Sequence, residues 1–582
     1  MKHTRLAVGL IVLVGVCVYG NSVRGAFIWD DQTAVLTNQS IRHLWPDALF
    51  PPSETPVAGR PIPNLSLALN YAAGGFDATG YHVWNISVHI ACALLLFGVV
   101  RRTLVVTGQE GRERQEGRDR QGRKKERPLA ARTRADTIAA VVALTWMVHP
   151  LTTEAVDYIS QRTESMMACF FLLTLYCAIR RWTLGAIVAC ALGMATKESM
   201  VVAPVVVVLY DRIFLFNAFR DAARERRGLY AGLGATWIAL ALLMSVTGRS
   251  TVGHSATIGA WTYLLNQARM IAHYLGTAIW PHALVLDYGL PQPLTIGDVV
   301  GSGALVVGLV VASAIALARW PRIGFLAATF FLTLAPTSTV VPILSEVGAE
   351  RRMYLPLAAL IALLVVAADA LAQQWPAIKR AALPVAGLVM VALAARTIAR
   401  NADYSDALTL WQKTVESWPQ GRARMSYATE LITVGRHDEA MAELHASVAD
   451  YPDARFALAT ELAGERKFDE AVKELRTFIQ PFPDRPNRMP ARLLLGRVLE
   501  AQGRWQEATV EFEAVLARDA TNPVARGALV EIGSVRNGNG AALAAGGNLN
   551  AAIAEFQEAV RLNPGDQKAQ NNLARALSLR PR

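Results

Sequence analysis

Two adjacent carboxylates follow the first apolar run of the chain, in the hexapeptide Phe27-Ile28-Trp29-Asp30-Asp31-Gln32. In hydrocarbon such a pair would cost several kcal/mol, so Asp30 and Asp31 belong at or above a membrane interface. One carboxylate of a pair can act as general base while the other orients it or holds a cation. If a divalent cation such as Mg2+ or Mn2+ takes part, Asp30 and Asp31 are its expected ligands. The pair alone is equally consistent with a solvated loop or a helix N-cap. Other polar residues fall on the same expected face: Arg60 in GRPIPNLSLALNY (59–71), the segment GYHVWN (80–85), and His149 and Glu154 in HPLTTEAVDYISQR (149–162). Lys197 in ATKES (195–199) and Arg351 and Arg352 in SEVGAERRMYLP (345–356) complete the set. Snorkelling to head groups accounts for single arginines, and Lys197 also fits a charge at a span end. Paired arginines on a face that topogenic bias disfavours point instead to an anionic ligand. Cations at a leaving phosphate with carboxylates at an attacking hydroxyl are what group transfer from a lipid phosphate requires. For His82 and His89 the simpler reading is packing.

These residues need elements to hold them, and the composition says which. The chain has 582 residues with 53% hydrophobic and 18% charged residues, against about 25% charged in average soluble domains. Uncharged runs near spanning length occupy 6–23, 83–100, 137–153, 228–248, 299–318 and 323–345, with shorter ones at 165–179, 182–196, 199–210, 353–368 and 381–395. Together they predict about eleven transmembrane helices. The net charge of +11 is uneven: residues 101–135 hold twelve Lys/Arg against five Asp/Glu, while 21–84 hold three against five. With Lys2 and Arg5 inside, every second loop is basic: 101–135, Arg180–Arg181, Arg212–Arg227, Arg319–Arg322 and Lys379–Arg380. An odd count then places the region after residue 400 on the non-cytoplasmic side. Residues 260–284 carry Arg269, His273 and His282 among Trp and Tyr, which suits a helix lying at the interface. The basic insert 108–135 is expected to be a solvated linker. Cys17, Cys92, Cys169, Cys177 and Cys190 lie in apolar runs without paired or zinc-like spacing, so neither disulfide nor zinc is expected. The uneven charge follows membrane orientation and gives no nucleic-acid footprint.

Beyond residue 400 the composition turns soluble and repeats. GRHDEA (435–440), ERKFDEA (465–471), GRWQEA (503–508) and GNLNAA (547–552) recur at tetratricopeptide spacing. Ala440, Ala471 and Ala552 are each followed twelve residues later by a proline, Pro452, Pro483 and Pro564. Small residues there allow close helix packing and the proline ends the second helix. Residues 533–547 look like a Gly/Asn-rich loop inserted in the fourth copy. The fold expected is all-α: a polytopic membrane domain over 1–400 and a tetratricopeptide α-solenoid over 401–582, the latter a surface for peptides or partner proteins.

The order F-x-W-D-D, R-P-x-x-x-L-S, G-x-H-x-x-N, H-P-x-x-T-E-A-V, T-K-E, A-E-R-x-x-Y-L-P and then the repeats resembles the transmembrane and tetratricopeptide repeat-containing O-mannosyltransferases, over roughly 20–580. That family is similar to the GT-C glycosyltransferases. The resemblance implies an inverting transfer of a single sugar, mannose first, from a polyprenyl-phosphate donor to a hydroxyl of a protein acceptor on the non-cytoplasmic face. It implies Asp30 as base with Asp31 orienting it or holding a cation. It makes Arg351 the first contact for the donor phosphate, helped by Arg352 and Lys197, with His149, Glu154 and Arg60 in the donor pocket. The Ala/Arg-rich composition suggests a bacterial chain, hence an inner-membrane protein with a periplasmic repeat domain; in a eukaryote the membrane would be that of the ER. An O-antigen-type glycan ligase and a non-enzymatic repeat scaffold are the alternatives. A ligase need not carry the acidic pair, and a scaffold needs no polar cluster at all.

Overall fold

The computed structural model describes residues 2–116, 127–246, 258–339, 341–481 and 488–580; among them there is no strand. Residues 117–126 of the basic insert therefore lie outside the described residues, as does Pro483. The chain divides into two compact units, Met1–Trp418 and Pro419–Arg582. The division falls between Trp418 and Pro419, later than the expected boundary at 400, because one more helix packs on the first unit. The helix Ala407–Ser417 buries Leu410 and Trp411 within the first unit, and the Trp29 and Trp411 rings meet edge to face at 5.2 Å.

The first unit comprises α1 (Lys2–Tyr19), α2 (Pro61–Gly74), α3 (Ala78–Glu116), α4 (Arg127–Met147), α5 (Thr153–Asp157), α6 (Arg162–Ile179), α7 (Thr183–Met194) and α8 (Ala203–Tyr210). It continues with α9 (Phe219–Glu225), α10 (Arg227–Val246), α11 (Ala260–Ile279), α12 (Val300–Arg319), α13 (Pro321–Leu334), α14 (Tyr354–Gln374), α15 (Pro376–Asp403) and α16 (Ala407–Ser417). Helix occupies all eleven segments expected to span, but they are not equivalent. Among the described residues seven helices are long and apolar enough to cross a bilayer, and nine if two bent pairs each count as one span. The remaining two, α7 and α13, have 12 and 14 residues, short of the ~20 that hydrocarbon requires. The bends have local causes. Pro150 removes a backbone donor after α4, and the pair Arg132–Met147 and Pro150–Asp157 turns by 61°.

Large apolar side chains on α12 point outward, Val300, Leu305, Val307 and Val311 among them. Exposed apolar surface on that scale needs hydrocarbon around it. The first unit is accordingly that of a multi-pass membrane protein. Its main core runs through α1, α3, α4, α6 and α14, with Trp146, Ala143, Phe171 and Leu357 buried. The polar stretch between α1 and α3 is folded rather than loose. Ala34, Val35, Ile41, Val57, Leu67 and Tyr81 form a second small core, and the Asn64 amide donates to Ser40 Oγ and the Ala48 carbonyl, both at 2.9 Å.

Among its described residues the second unit has nine helices: α17 (Gly421–Thr433), α18 (His437–Ser447), α19 (Ala454–Gly464), α20 (Phe468–Ile479), α21 (Met489–Ala501), α22 (Trp505–Leu516), α23 (Pro523–Ala545), α24 (Leu549–Leu562) and α25 (Gln567–Ser578). Ala440, Ala471, Ala508 and Ala552 are fully buried at matching positions. The expected Gly/Asn-rich loop at 533–547 is instead helix through Ala545. A Cβ at Gly540 would lie 2.7 Å from the Phe556 ring, and Asn537 accepts from Asn572 at 2.8 Å. Packing against α24 and α25 thus outweighs the poor helix propensity of Gly and Asn.

Candidate active site

The Asp30–Asp31 turn is built on strain and then pinned. Trp29 has φ +41°, a conformation non-glycine residues rarely adopt, which turns the chain out of α1's exit segment. Asp31 is fully buried, and its two carboxylate oxygens accept from the backbone N–H of Ile28 (3.1 Å) and Ser160 (2.7 Å). Burial pushes its carboxyl up to about 7, against those two donors and with a contribution from neighbouring Asp30. Asp30 is only half-buried, and its backbone N–H donates to the Tyr158 hydroxyl at 2.9 Å. One carboxylate therefore fixes the turn while the other stands at its rim.

Tyr158 also lies within electrostatic reach of Arg351, so it links the acidic turn to the basic one. The Arg351 backbone N–H donates to Glu154 Oε2 at 2.7 Å, and its guanidinium pairs with both Glu154 and Glu346. Arg352 pairs with Glu346 at 3.0 Å and donates to the Thr337 carbonyl at 3.1 Å. Lys197 pairs with Glu164 and acts on Glu346 as well. Burial alone would raise the Glu346 carboxyl, but Arg351, Arg352 and Lys197 together hold it down at about 2.

Two arginines thus pair with one carboxylate, Glu346, while Lys197, paired with Glu164, lies within electrostatic reach of it. Glu346, with Glu164 and Tyr158, was not singled out from the sequence. The signal was present, since a face that buries three cations must supply acids to match them.

The other expected residues serve elsewhere. His149 accepts from the Leu151 N–H at Nδ1 (3.2 Å) and donates from Nε2 to the Ala278 carbonyl (3.0 Å), so both nitrogens are engaged in shaping the bend. It is a positioning residue and not part of the cluster. Arg60 pairs with Glu198 at 3.1 Å, next to Lys197 in the chain, and steadies that loop. His89 donates to the Met147 carbonyl at 3.0 Å and bonds the Tyr354 hydroxyl at 2.7 Å, in keeping with a packing role.

The segment 260–284 contributes α11, with Arg269 exposed and Tyr263, Gln267 and Tyr274 buried. These three hold the arginine loop: Gln267 donates to the Val347 carbonyl at 2.9 Å, and the Ala349 N–H donates to Tyr274 at 2.8 Å. Gly348 is required there, because a Cβ would fall 2.4 Å from Met270 Cε.

The residues do not form a cage for a divalent cation. Both Asp31 oxygens are taken by backbone donors, and among the described residues no three His, Cys, Asp or Glu side chains group as ligands. The arrangement offers a rim carboxylate that can accept a proton and, one tyrosine away, fixed cations that can stabilise an anion.

Fold and site together define a class: an all-α multi-pass membrane protein with an acidic–basic cluster and a tetratricopeptide array. A tetratricopeptide repeat family profile matches residues 456–533. The chain is 26% identical over 316 residues to Protein O-mannosyl-transferase Tmtc2 of Drosophila melanogaster, covering 48% of this chain and 30% of that protein. It is 26% identical to Protein O-mannosyl-transferase TMTC2 of Homo sapiens over 36% of this chain and 24% of that one. With Protein O-mannosyl-transferase TMTC4 of Mus musculus it shares 24% identity over 71% of this chain and 62% of that one. The chain spans about a third or less of the length of the first two relatives. The resemblance seen in the motif order is borne out: this is a protein similar to the transmembrane and tetratricopeptide repeat-containing O-mannosyltransferases.

Proposed function

We propose that the chain is a membrane glycosyltransferase that moves one mannose from a polyprenyl-phosphate donor to a Ser or Thr hydroxyl of a protein. In this reading the site opens on the non-cytoplasmic face, the N-terminus is cytoplasmic, and the repeat unit helps bind the acceptor on the same side as the site. For a bacterial chain that side is the periplasm. The observation that carries the reading is Tyr158, which holds the Asp30 turn by its hydroxyl and lies within electrostatic reach of Arg351.

The acceptor oxygen attacks the anomeric carbon from the face opposite the phosphate, and its proton passes to the Asp30 carboxylate. The anomeric carbon–oxygen bond breaks, both electrons go to the departing polyprenyl phosphate, and the configuration inverts. The phosphate gains negative charge as it leaves, where Arg351, Arg352 and Lys197 stabilise it. Glu346 now pairs with Arg351 and Arg352, and Glu164 with Lys197, so donor binding replaces carboxylates by a phosphate. Asp31 is a positioning residue for Asp30.

The test is transfer by the purified full chain from radiolabelled polyprenyl-phosphate mannose to Ser/Thr-rich acceptor peptides. Lipid-dependent incorporation, lost when the peptides carry Ala in place of Ser and Thr, is the expected result. Incorporation only of a preassembled polymeric glycan would favour a ligase, and no incorporation from any lipid-linked sugar would overturn an enzymatic role.

A further inference from the structure

A crevice of about 890 Å³ opens between α4, α14 and α15, away from the cluster described above. Its lining changes character in the same sense along all three helices. On α4, Arg134 gives way to Val141; on α14, Asp369 lies toward the C-terminus and Val365 one turn inward; on α15, Lys379 precedes Leu383. Seven residues of helix separate Arg134 from Val141, roughly 10 Å at 1.5 Å per residue. The crevice is therefore charged at one end and apolar one to two turns deeper, the pattern of a molecule with an ionic head and a hydrocarbon body.

The charge at its mouth is positive. Arg134 and Lys379 face a single carboxylate, Asp369, and Arg132 and Arg380 lie close by in the chain. Arg134 pairs with Asp369 but its side chain is 50% exposed, so the pair is weak and its guanidinium can take a second anion. The same end of the bundle carries the Arg101–Asp136 pair and the N-terminal turn, where Thr4 donates to Asp136 at 2.9 Å. Basic crevices between transmembrane helices on the cytoplasmic side bind anionic lipid head groups, and that leaflet holds the anionic lipids.

We infer that this crevice is a binding site for an anionic glycerophospholipid of the bilayer, its phosphate between Arg134 and Lys379 and an acyl chain along Val141, Val365 and Leu383. The inference does not depend on the transferase reading. A bound lipid would bridge α15 and α4 at the end where the single residue Trp375 links α14 to α15 along the chain.

Native mass spectrometry of the full chain, released from nanodiscs of phosphatidylcholine with a minority of phosphatidylglycerol, tests it. One phosphatidylglycerol should stay bound in preference to phosphatidylcholine. Lys379→Glu, at an exposed position, should lower that retention about ten- to thirtyfold. Ala386→Trp, which fills the crevice, should abolish it without lowering the melting temperature. Equal retention of the two lipids, or unchanged retention in both variants, would overturn the site. Displacement of phosphatidylglycerol by equimolar polyprenyl phosphate would assign the crevice to the carrier lipid and overturn it equally.

Discussion

Ionic side chains are used in opposite ways in the two units. In the repeat unit one pair recurs four times at a spacing of nineteen residues: Arg424–Glu443, Arg455–Glu474, Arg492–Glu511 and Arg536–Glu555. Each joins the two helices of one repeat, all are partly exposed, and any one can be lost without disturbing the others. In the membrane unit the cluster around Glu346 occurs once, is nearly buried, and draws its members from segments as far apart as Glu154 and Arg351. Buried charges are expensive even when paired. Repetition marks charges that serve packing; in the proposed function the cluster around Glu346 serves chemistry, whereas the buried Arg226–Asp211 pair of the same unit lies outside it.

The sharpest way to break this contrast is at Asp30. Asp30→Asn should lower transfer by roughly 10² to 10⁴ while leaving the melting temperature near wild type, because a rim carboxylate contributes little to packing. Steady-state incorporation from the labelled donor measures the first, and a thermal melt of the detergent-purified chain the second. Full activity in Asp30→Asn would shift the base elsewhere and leave the cluster a structural device.

Arg351 should come next. Its guanidinium serves Glu154 with one nitrogen and Glu346 with the other, so Arg351→Lys keeps the charge and loses the fork. A charge-assisted bond of this kind contributes roughly 1.5–3 kcal/mol, which corresponds to about a 10- to 100-fold loss in donor-dependent efficiency. Arg351→Ala should fold poorly, since Glu154 would be left buried without its partner. Rates against donor concentration for the Lys variant separate a binding role from a merely structural one, which would move stability and leave donor-dependent efficiency unchanged.

A smaller effect is expected from pH. Glu346 has its carboxyl held down at about 2 from an ordinary 4.5. A lowered acid contributes stability that is complete above the unfolded value and is lost as pH falls through 4.5 toward 2. The melting temperature of the wild-type chain should therefore fall over that interval, and Glu346→Gln should flatten the fall. An identical profile in the variant would show that the three cations do not act on Glu346 as a unit.

Much of the architecture was legible because its signals are local. Hydropathy marks all eleven helical segments, and the turn phrase marks the repeats. What stayed hidden depends on distance along the chain. Glu346 lies within SEVGAERRMYLP, yet the Arg351 it pairs with is shared with Glu154, far away in sequence. The Arg, His and Trp content of segment 260–284 suits a place at the interface, but its hold on the arginine loop rests on Tyr274 and Gln267 meeting residues 347–349. Residues 533–547 misled because Gly and Asn speak for a turn locally, whereas Phe556 and Asn572 supply a helical environment. The candidate residues fall in separate groups: Arg351 and Arg352 meet Glu346, with Glu154 on Arg351, the Asp30–Asp31 turn reaches them only through Tyr158, and His149 and Arg60 bond to neighbouring loops.

In the repeat unit, where each contribution is meant to be modest, two substitutions bracket the expected scale. Arg455→Ala removes one of the four pairs and should cost only about 0.2–1 kcal/mol. The position before Lys467 offers a change of similar size and opposite sign. Three of the turns open on a glycine with positive φ: Gly435 at +77°, Gly503 at +74° and Gly547 at +82°. The fourth places Arg466 there, at +60°. The left-handed conformation costs an L-residue roughly 1–2 kcal/mol that glycine avoids, and glycine loses part of that advantage through its greater freedom when unfolded, about 0.4–1 kcal/mol. Arg466→Gly should therefore stabilise the array by a net amount on the order of 0.5–1 kcal/mol. Chemical denaturation of the full chain, followed by a probe confined to the repeats, measures it. Destabilisation instead would mean that the Arg466 side chain contributes more than its backbone costs, and that even in the repetitive half of the molecule one charge is individual.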